Sequence, residues 1–199
     1  MESTLRKALV QRRSYYEIDA KSPAGEKEIE EIVDFAVLHT PSAFNSQSAR
    51  VVLLFREHHK RLWEIVREAL RPLVPPEKFG PTDAKIDAFA AGYGTILFYE
   101  DQATIEKLQT DFLTYRDAFP GFSANSSGML QHVVWVMLRE AGLGASLQHY
   151  GNLIESEVAC AWGLDPRWKL IAQMPYGRPL SEPEAKTQMP LSERVKIFQ

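Results

Sequence analysis

One cysteine, Cys160, is all the thiol in a chain of 199 residues, so no intrachain disulfide can form, and no Cys/His cluster has the spacing of a structural zinc site. That usage predicts a reducing, cytoplasmic setting and no metal. Long apolar runs are missing too. The longest stretch free of Asp, Glu, Lys and Arg, from Ala118 to Leu138, is broken by Pro120, Gly121, Asn125 and Gln131, which argues against a membrane span. The opening MESTLRKALVQRRS lacks the apolar core of a secretory signal. Neither sign of charge dominates, with 23 basic against 26 acidic side chains and a formal net charge of -3, and no basic block is interleaved with aromatics. A dedicated nucleic-acid binder is therefore not expected. Also absent are a GxSxG elbow, an HExxH pair, a Walker loop and a GxGxxG after a strand. If the chain is an enzyme, its hard chemistry comes from a cofactor.

What is present suffices for one domain over residues 1–199, with 45% hydrophobic residues to fill its core. Apolar periodicity predicts helices over Ser3 to Gln11, with Ser3 as N-cap, over Glu26 to His39, through Leu62 to Leu70, over Thr82 to Ala91 and over Thr104 to Phe112. Ser127 to Ala141, apolar on most faces, reads as a central buried helix that Gly142 ends, and Glu155 to Trp162 as a last helix. Arg50 to Phe55, Thr95 to Tyr99 and Lys169 to Met174 read as buried strands. Helices interleaved with a few buried strands predict an α+β or α/β sandwich. His58 and His59 open a polar helix and read as solvated.

Four short clusters could carry chemistry. Arg12, Arg13 and Ser14 end the first helix and suit a phosphate, since a guanidinium fork matches oxyanion geometry; two exposed arginines at a helix C-terminus are the plainer reading. Pro41 to Gln47 (PSAFNSQ) concentrates hydroxyls and carboxamides that suit the edge of a heteroaromatic ring, or simply cap a connecting loop. Gly142 to Tyr150 (GLGASLQHY) lets backbone approach a flat ligand, though a helix cap and tight turn explain its glycines equally well. Pro175 to Pro179 (PYGRP), with Lys186 beyond it, offers cations in a turn after a buried strand, either a second phosphate contact or surface charge.

In their order and spacing these clusters, together with SSGMLQ at 126–131, resemble the FMN-dependent nitroreductase family over nearly the whole chain, specifically its compact branch of fatty-acid-repression-mutant-like and copper-induced nitroreductases. The resemblance implies a mixed, mostly antiparallel sheet flanked by helices and an intertwined homodimer with FMN at the subunit interface, the segment from about Leu191 to Gln199 reaching across the partner. By the same similarity Arg12 and Ser14 hold the flavin phosphate with Arg178 and Lys186 on its other side, and Arg13 lies by the ribityl chain or ring edge. Pro41, Ser42, Phe44, Asn45 and Gln47 come from the other subunit, and Leu147, Gln148 and His149 line the ring. The implied activity is an FMN-dependent NAD(P)H oxidoreductase: NADH or NADPH gives hydride to flavin N5, and a nitroaromatic, quinone or similar flat acceptor then takes it in the same pocket, by ping-pong kinetics. A flavin-binding regulatory or stress-response module with little turnover would need similar residues, and a cofactor-free dimeric scaffold is a third reading. Many larger relatives carry a lysine two residues after the serine of the first cluster; Tyr16 stands there in this chain.

Overall fold

A computed structural model describes residues 4–199. In chain order the elements are α1 (Thr4–Gln11), β1 (Ile18–Asp19), α2 (Glu26–His39), β2 (Ala49–Phe55), α3 (Arg56–Leu70), α4 (Phe79–Ala90), β3 (Gly94–Asp101), α5 (Gln102–Asp111), α6 (Phe119–Glu140), β4 (Gly144–Ala145), α7 (Gly151–Trp162), β5 (Trp168–Pro179) and α8 (Leu191–Arg194). The proposed cap at Ser3 lies outside the described residues.

The sheet runs β1-β5-β3-β2, with β4 also on β5, and every pairing between strands is antiparallel. Among the described residues its one parallel contact is the isolated bridge Ser14↔Ala145. Alternation along β3 builds two cores, because successive side chains leave opposite faces of a strand. Ile96 and Phe98 meet Ile29, Val33, Leu130, Val134 and Leu138 of α2 and α6. Leu97 and Tyr99 meet Leu62, Trp63, Val66, Ile86, Phe89 and Val158 of α3, α4 and α7. The expected α+β sheet flanked by helices is thus present, and among the described residues no helix is long and apolar enough to cross a membrane.

Three expectations need correction. The fourth cluster is strand, not turn: β5 continues through Pro175 to Pro179, because β1, β4 and β3 all pair with it there. α6 begins eight residues earlier than the apolar run, with Pro120 in its first turn where the missing N–H costs nothing. Its apolar surface is also not fully covered, since Ala124, Asn125, Gly128, Met129 and His132 form an exposed stripe. Finally, His59 is buried, at 2% exposure, while His58 accepts a 3.1 Å hydrogen bond from Trp162 Nε1. Their helix opens against the sheet, so two adjacent histidines face opposite surroundings.

Candidate functional site

The first cluster is placed by backbone. Ser14 bridges Ala145, Tyr15 N donates to Ala145 O at 2.9 Å, and Trp135 Nε1 donates to the same oxygen at 3.1 Å. Gly144 makes this approach possible, because a Cβ there would stand 2.8 Å from the Tyr15 Cβ. Two stretches of chain 130 residues apart therefore meet, and β4 in turn pairs Gly144 with Gly177 of β5. One edge of the sheet thus gathers three of the four clusters.

Around that edge the Arg12 guanidinium lies over the Trp135 ring, 4.4 Å from its centroid, an interaction that suits a cation on an indole face. Arg13 donates to the Glu184 carbonyl at 2.5 Å. A cleft of about 530 Å³ opens here, lined by Arg13, Ser14, Tyr16, Glu182, Glu184 and Lys186 among others. Its carboxylate at Glu182 is occupied, accepting from Tyr15 Oη at 3.0 Å and facing Arg139 at 3.6 Å. Burial, and then the charge of Arg13, push the Arg12 guanidinium below its ordinary pKa.

Among the described residues, the Nε atoms of Arg12 and Arg13 are buried and meet no acceptor. Buried donors normally have partners, and two neighbouring guanidiniums with bare N–H groups are completed by an anion rich in acceptor oxygens. A phosphate fits that description. Arg178 stands one strand away and does not line this cleft: it forks onto Asp19 at 3.2 and 2.5 Å, and that hydrogen bonding holds the Asp19 carboxyl below its usual range.

The third cluster is mostly committed to the sheet. Gln148 exchanges backbone hydrogen bonds with Gln173 at 2.8 and 2.9 Å, and its amide donates to Ser146 Oγ at 3.1 Å. Leu147 is half-buried against the first core, and of Leu147, Gln148 and His149 only His149 is exposed.

The second cluster lies elsewhere. Pro41, Ser42, Asn45 and Gln47 line a separate cavity of about 140 Å³ with Glu100 and Ser126. Phe44 turns away from it and packs on Phe112 and Phe119, centroids 4.8 and 5.3 Å apart. Three residues of this loop that are not glycine, Phe44, Asn45 and Gln47, sit at φ of 56°, 51° and 49°. Such strain gathers at functional sites and persists only where the surroundings enforce it. Here Ser42 Oγ accepts from Gln47 N at 3.0 Å, and Ser126 Oγ of α6 accepts from Ala43 N at 3.4 Å.

Both regions rest on α6, one at Ser126 and the other at Trp135, roughly two and a half turns or about 13 Å apart along the axis. The two cavities share no lining residue. Trp135, Glu100, Ser48 and Ser123 are the residues that sequence reasoning left out. An acid closing the apolar run TILFYE was the available signal for Glu100.

Residues 9–178 match the nitroreductase family, and the chain belongs to it. The Saccharomyces cerevisiae protein HBN1 is 35% identical over 199 residues, covering 98% of this chain and 97% of that protein. Nitroreductase CinD from Lactococcus lactis, solved with chloramphenicol and with 4-nitrophenol, is 38% identical, with TM-scores of 0.91 and 0.90 over 98% of this chain and all of that one. A Desulfovibrio desulfuricans protein solved in complex with FMN shares the fold at 17% identity, with a TM-score of 0.74 and the full length of both chains covered. Membership of the family supports oxidoreductase activity and a flavin-dependent chemistry.

Proposed function

We propose that the chain is an FMN-dependent NAD(P)H oxidoreductase that works as a homodimer, with each flavin held between the Arg12–Ser14 edge of one protomer and the Pro41–Gln47 loop of the other. The observation that carries this reading is the separation of two half-sites on one chain, each built and neither sufficient. A second copy brings an unmatched loop to an unmatched edge. Exposed apolar residues at Leu9, Val10, Phe35, Leu38, Met129, Leu191 and Ile197 supply surface for such a contact. In this arrangement Leu191 to Gln199 reach across the partner.

Bound flavin would supply hydride acceptance and release at N5. The protein's part is binding and electrostatics. Arg12, Arg13 and Ser14 take the phosphate, with Lys186 across the cleft, and Arg178 would join them by exchanging its Asp19 partner for the phosphate. Phe44, Asn45 and Gln47 present the partner loop, and Leu147, Gln148 and His149 border the ring. Arg13, the Gln148 amide or a backbone donor would face the N1/O2 edge, where Tyr16 cannot offer a cation. The nitroaromatic ligands of the Lactococcus protein support nitroaromatics as substrates, and quinones and similar flat acceptors would use the same face. One face used first by NADH or NADPH and then by the acceptor gives ping-pong kinetics.

Purified protein given excess FMN should elute as a dimer with a flavin spectrum, bleach on anaerobic NADPH, and recover colour when a quinone or nitroaromatic is added. Bound flavin that neither nicotinamide reduces would point instead to a regulatory module. A colourless protein without NAD(P)H oxidation sinks the proposal. Arg12→Ala should keep the fold and weaken FMN binding about 10–100-fold, the loss of one charge-assisted hydrogen bond of about 1.5–3 kcal/mol, measurable by fluorescence titration.

A further inference from the structure

Glu100 is the acid that the proposed chemistry does not use. It sits near the end of β3 at 2% exposure, and its Oε2 accepts hydrogen bonds from Ser48 Oγ and from Ser123 Oγ, both at 2.6 Å. Its Oε1 is buried and, among the described residues, has no partner. The same residue walls the cavity that Pro41, Ser42, Asn45 and Gln47 line.

We propose that Glu100 is the positioning residue of the cofactor loop: its carboxyl, clamped between Ser48 and Ser123, holds residues 41–48 in their strained shape against α6 and links flavin retention to a proton. This rests on the reading that the loop contacts FMN in the assembled dimer.

Ser48 directly follows the three left-handed residues, and Ser123 belongs to α6, so one carboxyl bolts loop to helix. The other end of the bolt is backbone, where Asp101 N donates to Ser48 O at 2.9 Å. Left-handed conformations cost about 1–2 kcal/mol for a residue with a Cβ, so this loop relaxes unless it is tied at both ends. Ser42 ties it internally, and Glu100 ties it to the body of the protein.

The clamp also senses charge. Arg50 of β2 is the cation whose field favours an ionised Glu100, yet it is paired at 2.8 Å with Asp101, whose own charge opposes ionisation. From α2, its C-cap Thr40 and α6 the cavity is lined by hydroxyls and apolar groups, namely Thr40, Ser126, Val37, Leu38 and Leu130. Burial dominates and raises the Glu100 pKa, against the Ser123 and Ser48 hydrogen bonds and Arg50, which lower it. Burial opposes the carboxylate more than the two serine hydrogen bonds favour it, so raising the pH favours a state in which water reaches Glu100 and the loop is free.

Glu100→Gln keeps the shape and an oxygen for both serines but cannot ionise; Glu100→Ala removes the clamp. In cofactor-free protein, amide exchange across residues 41–48 should quicken about tenfold or more in Glu100→Ala and stay near wild type in Glu100→Gln. With FMN, wild-type Kd should rise about tenfold more than that of Glu100→Gln as the pH is raised from the acid to the alkaline end of the range in which the protein stays folded, the phosphate's own titration being common to both. Native loop protection in Glu100→Ala, or an identical pH slope in wild type and Glu100→Gln, overturns the inference. If wild type binds no FMN at any pH, the functional reading fails, while the exchange experiment still decides the clamp.

Discussion

Gly177→Ala should destabilise the protein by about 1–3 kcal/mol, toward the upper end, and abolish tight flavin binding along with it. A Cβ at Gly177 would overlap the Asp19 carbonyl oxygen and stand 3.1 Å from Tyr93 N. Both obstacles are backbone and both are engaged: Asp19 pairs with Arg178 in the β1–β5 ladder, and Tyr93 N donates to Tyr176 O at 2.7 Å. Relief requires β1 to leave β5, which takes the Asp19–Arg178 fork with it. Gly177 also pairs with Gly144, the residue whose missing side chain admits Tyr15 and Ser14 to the sheet. One methyl group therefore disturbs the edge at which three clusters meet. Gly163→Ala is the control. At φ 63° it strains the C-cap of α7 by about 1–2 kcal/mol, in open space and outside both cavities, so it should lower the melting temperature and leave FMN affinity alone. Wild-type melting and flavin affinity in Gly177→Ala would refute the account.

That same edge shows where sequence reasoning stops. Helix α2 and strand β3 were legible because their signals are local: a 3.6-residue apolar period over Glu26–His39 and an unbroken apolar run before Glu100. The second half of β5 was not, because Pro175, Gly177 and Pro179 are turn residues by local preference. Strand geometry tolerates them because Pro179 closes the ladder against Ile18, while Gly177 is dictated by a neighbour 158 positions earlier in the chain, Asp19. The start of α6 was hidden for a related reason. Its Ser123, Asn125, Ser126 and Ser127 look like a loop, but three of the hydroxyls are taken up by Glu100, by the Phe122 carbonyl and by Gln131. In the site, residue types were legible in Arg12, Arg13 and Ser14 and in the 41–47 loop. Their assignment to different half-sites came through the family resemblance alone, since no local signal shows which stretch of α6 each one meets. Glu100 carried only the local signal of an acid closing an apolar run, because its two partners come from opposite sides of it in sequence, 52 and 23 residues away.

His59 makes the largest predicted contribution to acid sensitivity. Its Nε2 faces the Ala90 carbonyl at 3.1 Å, and a carbonyl only accepts, so Nε2 carries the hydrogen. Nδ1 is then the acceptor for Thr95 Oγ1 at 2.8 Å, and Thr95 Oγ1 accepts from Trp63 Nε1 at 3.0 Å. The chain Trp63–Thr95–His59–Ala90 is complete only with a neutral imidazole. Burial, reinforced by the charge of Lys60 and opposed by the Ala90 hydrogen bond, lowers the His59 pKa from 6.5 to about 4. The folded value lies below the unfolded one, so between these limits the unfolded chain binds a proton that the native protein refuses. Stability is therefore complete above about pH 6.5 and drains away as pH falls towards about 4, by about 3 kcal/mol in all, at about 1.4 kcal/mol per pH unit. Denaturant midpoints measured across that window should slope steeply in wild type and less steeply in His59→Gln, which keeps a donor for Ala90 but does not titrate. The comparison is between slopes, so a uniform destabilisation of the variant leaves it intact. Parallel slopes, or an imidazole resonance assigned to His59 that titrates near pH 6.5 in the folded protein, would contradict a neutral, buried His59.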